Sequence, residues 1–234
     1  MAVVVCALTM AMAAAHAGAP AKKRAKPRRP RKPNPAYAKI TEDPALPRAL
    51  LIGDSISIGY TLPVRKLLAG KVNVLRPPTN CGPTTRGLQQ LDKWLAIGKL
   101  DVIHFNWGLH DLRLKGKAPN RTCRIDLATY EANLRKLVTK LKANGAKLIW
   151  AATTPVVDGE GRKRRNSDCQ AYNEVSTKVM TEAGIPINDL YALLMGLGDK
   201  RPSVTTRDGT HFTREGYQLE AKQVADAILK ALGK

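Results

Sequence analysis

The chain has 234 residues, of which 44% are hydrophobic and 25% charged, so it can bury one full core and points to one globular unit rather than several. Its formal net charge of +20 is larger than an ordinary solvated surface needs and directs attention to anionic partners. The four cysteines show no CxxC spacing and form no His/Cys cluster in the sequence, so no zinc or other metal site is expected.

Residues 1–19, MAVVVCALTMAMAAAHAGA, hold no charged group other than the titratable His16 and end in Ala15-His16-Ala17, the small-x-small pattern favoured by signal peptidase. The segment reads as a signal peptide without a positive n-region, with an uncleaved anchor or a buried helix as the alternatives. Its apolar run is too short to span a bilayer, so no transmembrane span is expected in the mature protein, and the expected location is secreted or periplasmic. Residues 20–47 follow as a basic, Pro-rich linker. Its first stretch, PAKKRAKPRRPRKPNP, places eight Lys and Arg among five prolines with no acid. Such a segment repels itself and buries little, so it is expected to be extended and disordered, serving either as a tether to an anionic polymer or as a plain spacer. The export signal argues against nucleic acid as the partner. Cys6 would leave with the signal peptide, and of Cys81, Cys123 and Cys169 the expected pair is Cys123 with Cys169, since both fall in loop or helix-start segments.

From Arg48 to the end, short apolar runs alternate with stretches of helical periodicity, which argues for βα units and a parallel sheet covered on both faces. The expected strands are Ala49 to Ile52, Val72 to Leu75, Val102 to Asn106, Leu148 to Ala152, and Ile185 to Asn188. Between them Leu88, Leu91, Trp94 and Leu95 recur at helical spacing, as do Leu127, Tyr130, Leu134, Leu137, Val138 and Leu141. A last helix over Arg214 to Leu232 sets Leu219, Val224, Ala227, Ile228 and Leu232 on one side. Within the folded region Arg162, Lys163, Arg164 and Arg165 make a second basic cluster, either a solvated loop or a face toward an anionic substrate or matrix.

In an open α/β sheet ligands bind beyond the carboxyl ends of the strands, so the residues there carry the chemistry. The first strand runs into Gly53-Asp54-Ser55, where a tight turn would lift the Ser55 hydroxyl above the sheet at a helix start, although the same triplet makes an ordinary turn and cap. Near the C-terminus Asp208-Gly209-Thr210-His211 precedes the last helix. An aspartate three residues before a histidine can fold back to hold the imidazole and fix its tautomer, leaving the other ring nitrogen to deprotonate a serine.

Taken together, Gly53-Asp54-Ser55 and Asp208-x-x-His211 resemble the first and last blocks of the GDSL, or SGNH, hydrolase family. The resemblance implies a flavodoxin-like three-layer α/β/α sandwich with a five-stranded parallel sheet over residues 48–234, and a serine ester hydrolase with Ser55, Asp208 and His211 as its triad and no cofactor. It also implies an oxyanion hole built from the Ser55 and Gly82 N–H groups, with Gly87 as a less favoured alternative to Gly82, and from an Asn side chain after the third strand. There the family shows Gly-x-Asn-Asp and this sequence reads Gly108-Leu109-His110-Asp111. His110 takes the place of the asparagine, and a ring N–H can serve the same electrostatic purpose, with Asn106 as the alternative donor and Asp111 orienting the loop. The substrate expected from the resemblance is an acylated small molecule or polysaccharide, with O-deacetylation of a carbohydrate favoured over lysophospholipase or thioesterase activity. The rival reading is an exported, non-catalytic polyanion- or glycan-binding protein on the same fold.

Overall fold

The computed structural model describes residues 1–3 and 33–234. The expected signal peptide, apart from its first three residues, and the basic stretch up to residue 32 lie outside the described residues.

Five parallel strands form one sheet: β1 (Arg48–Ile52), β2 (Asn73–Leu75), β3 (Val102–Phe105), β6 (Lys147–Ala151) and β7 (Ile187–Asn188). The spatial order is β2-β1-β3-β6-β7, with β1 and β3 in register from Ala49 opposite Val102 to Ile52 opposite Phe105. Each expected strand appears: β1 is one residue longer at its start, β2, β3 and β7 are one or two residues shorter, and β6 is shifted back by one residue. β4 (Leu114–Lys115) and β5 (Thr122–Cys123) make a separate antiparallel pair inside the long connection after β3.

The helices are α1 (Ser55–Leu67), α2 (Thr84–Leu95), α3 (Leu127–Ala143), α4 (Asn166–Glu182), the short α5 (Leu190–Met195) and α6 (Arg201–Val204), and α7 (Arg214–Leu232). Side chains cap several of them: Asp54 accepts from the Ile56 N–H, Asp126 from Thr129 and Asp189 from Ala192. Gly233, at φ +75°, ends α7 in the left-handed conformation that glycine takes without penalty. α1 packs against α7, and α2, α3 and α4 pack side by side in turn. Strand order reverses between β1 and β3, and the crevice at that switch point is where side chains from both strand ends can meet. No helix among the described residues is long and apolar enough to cross a membrane.

Trp107, Trp150, Tyr60, Tyr130, Tyr172 and Phe105 are the largest fully buried side chains. Two stripe residues depart from expectation, since Leu219 is 37% and Leu127 39% exposed. On α7 the position facing the core belongs to Glu220, fully buried with both carboxylate oxygens unbonded. Burial, reinforced by Asp54, raises its pKa well above the carboxylate range, so it is buried as a neutral acid.

Two further expectations need correction. The segment before Arg48 does not run free up to residue 47: Ala36 is buried, and the Asn73 amide donates to the carbonyls of Asp43 and Leu46 while its Oδ1 accepts from the Asp43 N–H. Tyr37 and Leu46 are partly buried, and the compact unit begins at Pro33. Cys81, Cys123 and Cys169 are all free. Cys169 is buried in the first turn of α4 and Cys123 sits half-buried in β5, and the expected bond between them is not formed.

Candidate active site

Gly53 closes β1 and admits no side chain, because a Cβ there would lie 2.7 Å from the Ser57 Cβ. That close approach lets the chain turn from strand into α1 within two residues, leaving Asp54 as the cap and Ser55 as the first helical residue. The Ser55 N–H is therefore among those at a helix start that have no partner within the helix. The Gly53 carbonyl accepts from the Cys81 N–H at 3.2 Å and from Arg76 Nη2 at 3.3 Å, tying the turn to the connection after β2.

Arg76 went unnoticed in the sequence, although it directly follows the apolar end of β2. It is 8% exposed. Its guanidinium donates to Ser57 Oγ at 2.9 Å and Thr61 Oγ1 at 2.8 Å, and to the Thr79 carbonyl at 3.3 Å, while the Tyr37 ring lies 5.7 Å from its centre. One buried cation thus clamps the turn bearing Ser55, the first two turns of α1 and the loop before Gly82.

The other half of the site comes from the turn before α7. Asp208 Oδ1 accepts from the Thr210 and His211 N–H groups, both at 2.9 Å, and its Oδ2 meets His211 Nδ1 at 2.5 Å. The Thr206 hydroxyl lies 2.8 Å from Oδ1. Burial would raise the Asp208 pKa, but these hydrogen bonds outweigh it and hold the carboxyl well below the usual range. His211 Nε2 then reaches Ser55 Oγ at 2.8 Å, across 156 residues of sequence. A hydroxyl bonded to an imidazole that is itself held by a carboxylate can pass its proton to the ring as the oxygen attacks a carbonyl. The His211 and Asp208 side chains are 39% and 53% exposed, so the site lies open at the surface.

The candidate oxyanion donors are arranged less simply. Gly82, at φ +63°, needs glycine for its backbone, and its N–H donates to Asn80 Oδ1 at 2.9 Å. Gly87 lies inside α2, buried. His110, in the connection after β3, has Nε2 4.0 Å from Oδ2 of Asp54, the residue before Ser55. Burial, helped by the Arg164, Arg124 and Arg113 guanidinium groups, pushes the His110 imidazole below its usual value against the pull of Asp54. The ring is thus neutral near neutral pH, and its approach to Asp54 is not an ion pair. Asn106, the alternative donor, commits its amide to the Ala151 carbonyl at 2.7 Å.

The loop carrying His110 is fixed from beneath. A Cβ on Gly108 would fall 2.0 Å from Thr153 Oγ1, so the chain passes directly against the end of β6. Asp111, fully buried, accepts from the Thr84 N–H at 2.9 Å and hydroxyl at 2.5 Å, anchoring the loop on the start of α2. Burial pushes its carboxyl up to about 6 even so.

The sequence profile of the GDSL-like lipase/acylhydrolase family matches residues 51–219. Among solved structures, a lipase/acylhydrolase from Enterococcus faecalis is similar at 23% identity and TM-score 0.66, covering 78% of this chain and 95% of its own. The acetylxylan esterase Axe2 of Geobacillus stearothermophilus is similar at 20% identity and TM-score 0.65, covering 80% of this chain and 94% of its own. Comparison with curated proteins finds no match.

Proposed function

Because the chain belongs to the GDSL-like lipase/acylhydrolase family and so hydrolyses ester bonds, we propose that Ser55, His211 and Asp208 form its catalytic triad and that it removes O-acetyl groups from carbohydrate. The observation that carries the triad is the unbroken hydrogen-bond chain from Ser55 Oγ through His211 to Asp208.

In this mechanism His211 Nε2 takes the Ser55 proton as the oxygen attacks the ester carbonyl. The imidazolium, paired with ionised Asp208, gives that proton to the departing sugar hydroxyl, leaving acetyl on Ser55. Water, deprotonated by the same nitrogen, then releases acetate and restores the serine. The oxyanion of each tetrahedral intermediate is held by the Ser55 N–H, by the His110 ring N–H and by the Gly82 N–H once a full negative charge displaces the neutral Asn80 carbonyl.

Carbohydrate is favoured by the open surface around Ser55 and by the polar, basic loops beside it, where an acyl-chain enzyme would present an apolar wall. Two of the structurally similar proteins are described as acetyl xylan esterases. The apolar N-terminus ending in Ala15-His16-Ala17 supports export to the periplasm or medium, where such polymers occur.

The test is acetate release from acetylated xylan and from p-nitrophenyl acetate by the full chain and by Ser55→Ala. Release that disappears in the variant supports the reading, and equal release by both proteins overturns it.

A further inference from the structure

Three segments surround the site, and hydrogen bonds stitch them together. Leu114 of the 107–125 connection donates its N–H to the Lys163 carbonyl at 2.8 Å, the Arg121 guanidinium reaches the Arg162 carbonyl at 2.7 Å, and Val157 donates to Gly209 at 2.8 Å. Residues 107–125, 157–168 and 205–213 together hold ten Lys and Arg against five Asp and Glu. Four of those acids are already engaged: Asp111 by Thr84, Asp158 by the Asn166 N–H, Asp168 by Arg165 and Asp208 by His211. The local field is therefore strongly positive where an ester would enter.

Four arginines stand next to the candidate residues. Arg164 gives its Nε to the Leu109 carbonyl at 2.6 Å, beside His110, and is half-buried with its other donors unmatched. The Arg162 guanidinium carbon lies 3.1 Å from where a Cβ on Gly209 would sit, over the turn between Asp208 and His211. Arg113 and Arg124 are joined through the Arg124 N–H and the Arg113 carbonyl at 3.0 Å. Both contribute to the positive surroundings of His110. Among the described residues all the ion pairs to acids are made by other cations. A guanidinium whose fork has no acid of its own matches a carboxylate in two parallel hydrogen bonds.

Resting on the esterase reading, we propose that Arg113, Arg124, Arg162 and Arg164 form a cationic collar that selects esters whose sugar carries a carboxylate, so that the substrate is an acetylated uronic-acid polymer rather than a neutral glycan. The carboxylate of the acetylated sugar or its neighbour meets the collar, which sets the ester carbonyl above Ser55.

The test compares acetate release from partially acetylated polygalacturonate with release from the same polymer after methyl esterification of its carboxylates. The full chain is expected to show a kcat/KM ratio of about tenfold in favour of the free acid. That ratio falls toward one in Arg113→Gln/Arg124→Gln and in about 0.5 M salt. The double variant Lys142→Gln/Lys230→Gln removes the same charge at the helix ends remote from the site and keeps the ratio. A wild-type ratio near one, with p-nitrophenyl acetate turned over, overturns the collar and leaves the esterase reading standing. Should the wild type turn over no ester, the esterase reading falls, and the collar is decided by polygalacturonate binding to Ser55→Ala protein. Binding weakened by the two added arginine substitutions supports it, and unchanged binding overturns it; the basic N-terminal stretch is common to both proteins.

Discussion

Asp111 offers a quantitative test of how the loop carrying His110 is held. Its carboxyl is raised from 3.8 to about 6 by burial, although Thr84 donates to it twice. A carboxyl with a raised folded value contributes its stability fully below the unfolded value and loses it as pH rises through the folded one. The shift of about two units corresponds to about 3 kcal/mol, of which about 2 kcal/mol is lost between about pH 4 and pH 7. Asp111→Asn keeps an acceptor for the Thr84 N–H and does not ionise. The stability of the variant minus that of the wild type should therefore rise by about 2 kcal/mol over that range and then level off. Urea denaturation at closely spaced pH values reads this difference directly, and Asp111→Ala provides the contrast. The alanine strands the Thr84 N–H and should be less stable than Asn at every pH by about 1–3 kcal/mol. A difference between Asn and wild type that does not change with pH would refute the buried-carboxylate argument.

Three other outcomes follow from the same geometry. His110→Ala is expected to lower kcat on p-nitrophenyl acetate by about a hundredfold with little change in KM, and His110→Asn to recover much of it; equal loss in both variants would remove His110 from the oxyanion site. Arg76→Met should lower kcat about tenfold by loosening the Gly53 turn, with Arg76→Lys recovering part, and a loss of melting temperature at unchanged kcat would make Arg76 purely structural. Glu220 is neutral when folded, so its stabilising contribution is present below the usual carboxylate pKa and lost as pH rises. Glu220→Gln should accordingly raise the melting temperature relative to wild type more at about pH 8 than at about pH 4, and equal shifts would contradict it.

Much of this was legible from residue order, because it depends on short-range physics. Alternating apolar runs and helical stripes mark βα units, and a parallel sheet follows from connections long enough to cross over. The Asp208-x-x-His211 turn closes within four residues, so its hydrogen bonds are local. Gly53 before Asp54 and Ser55 likewise marks a turn whose tightness only glycine allows.

What needed the tertiary structure depends on neighbours far away in sequence. Helical periodicity identifies a stripe on α7 without saying which edge of it faces α1, so Leu219 points outward and Glu220 inward. α4 carries a helical stripe of Cys169, Tyr172, Val175, Val179 and Met180, but polar residues and Ser176 interrupt its apolar signal, and packing on α3 is what shows which face is buried. An arginine after a strand reads as solvated until α1 and the segment around Tyr37 close over it, as they do over Arg76. The contact of His211 with Ser55 exists only because the sheet brings the ends of α1 and α7 together across 156 residues. Sequence alone determined the α/β class and the two tight turns at Gly53-Asp54-Ser55 and Asp208-x-x-His211, since each rests on contacts within a few residues. The protonation of buried acids, the engagement of the Asn106 amide by the Ala151 carbonyl and the gathering of arginines around His110 were decided by the fold, since desolvation and charge proximity exist only once distant segments pack.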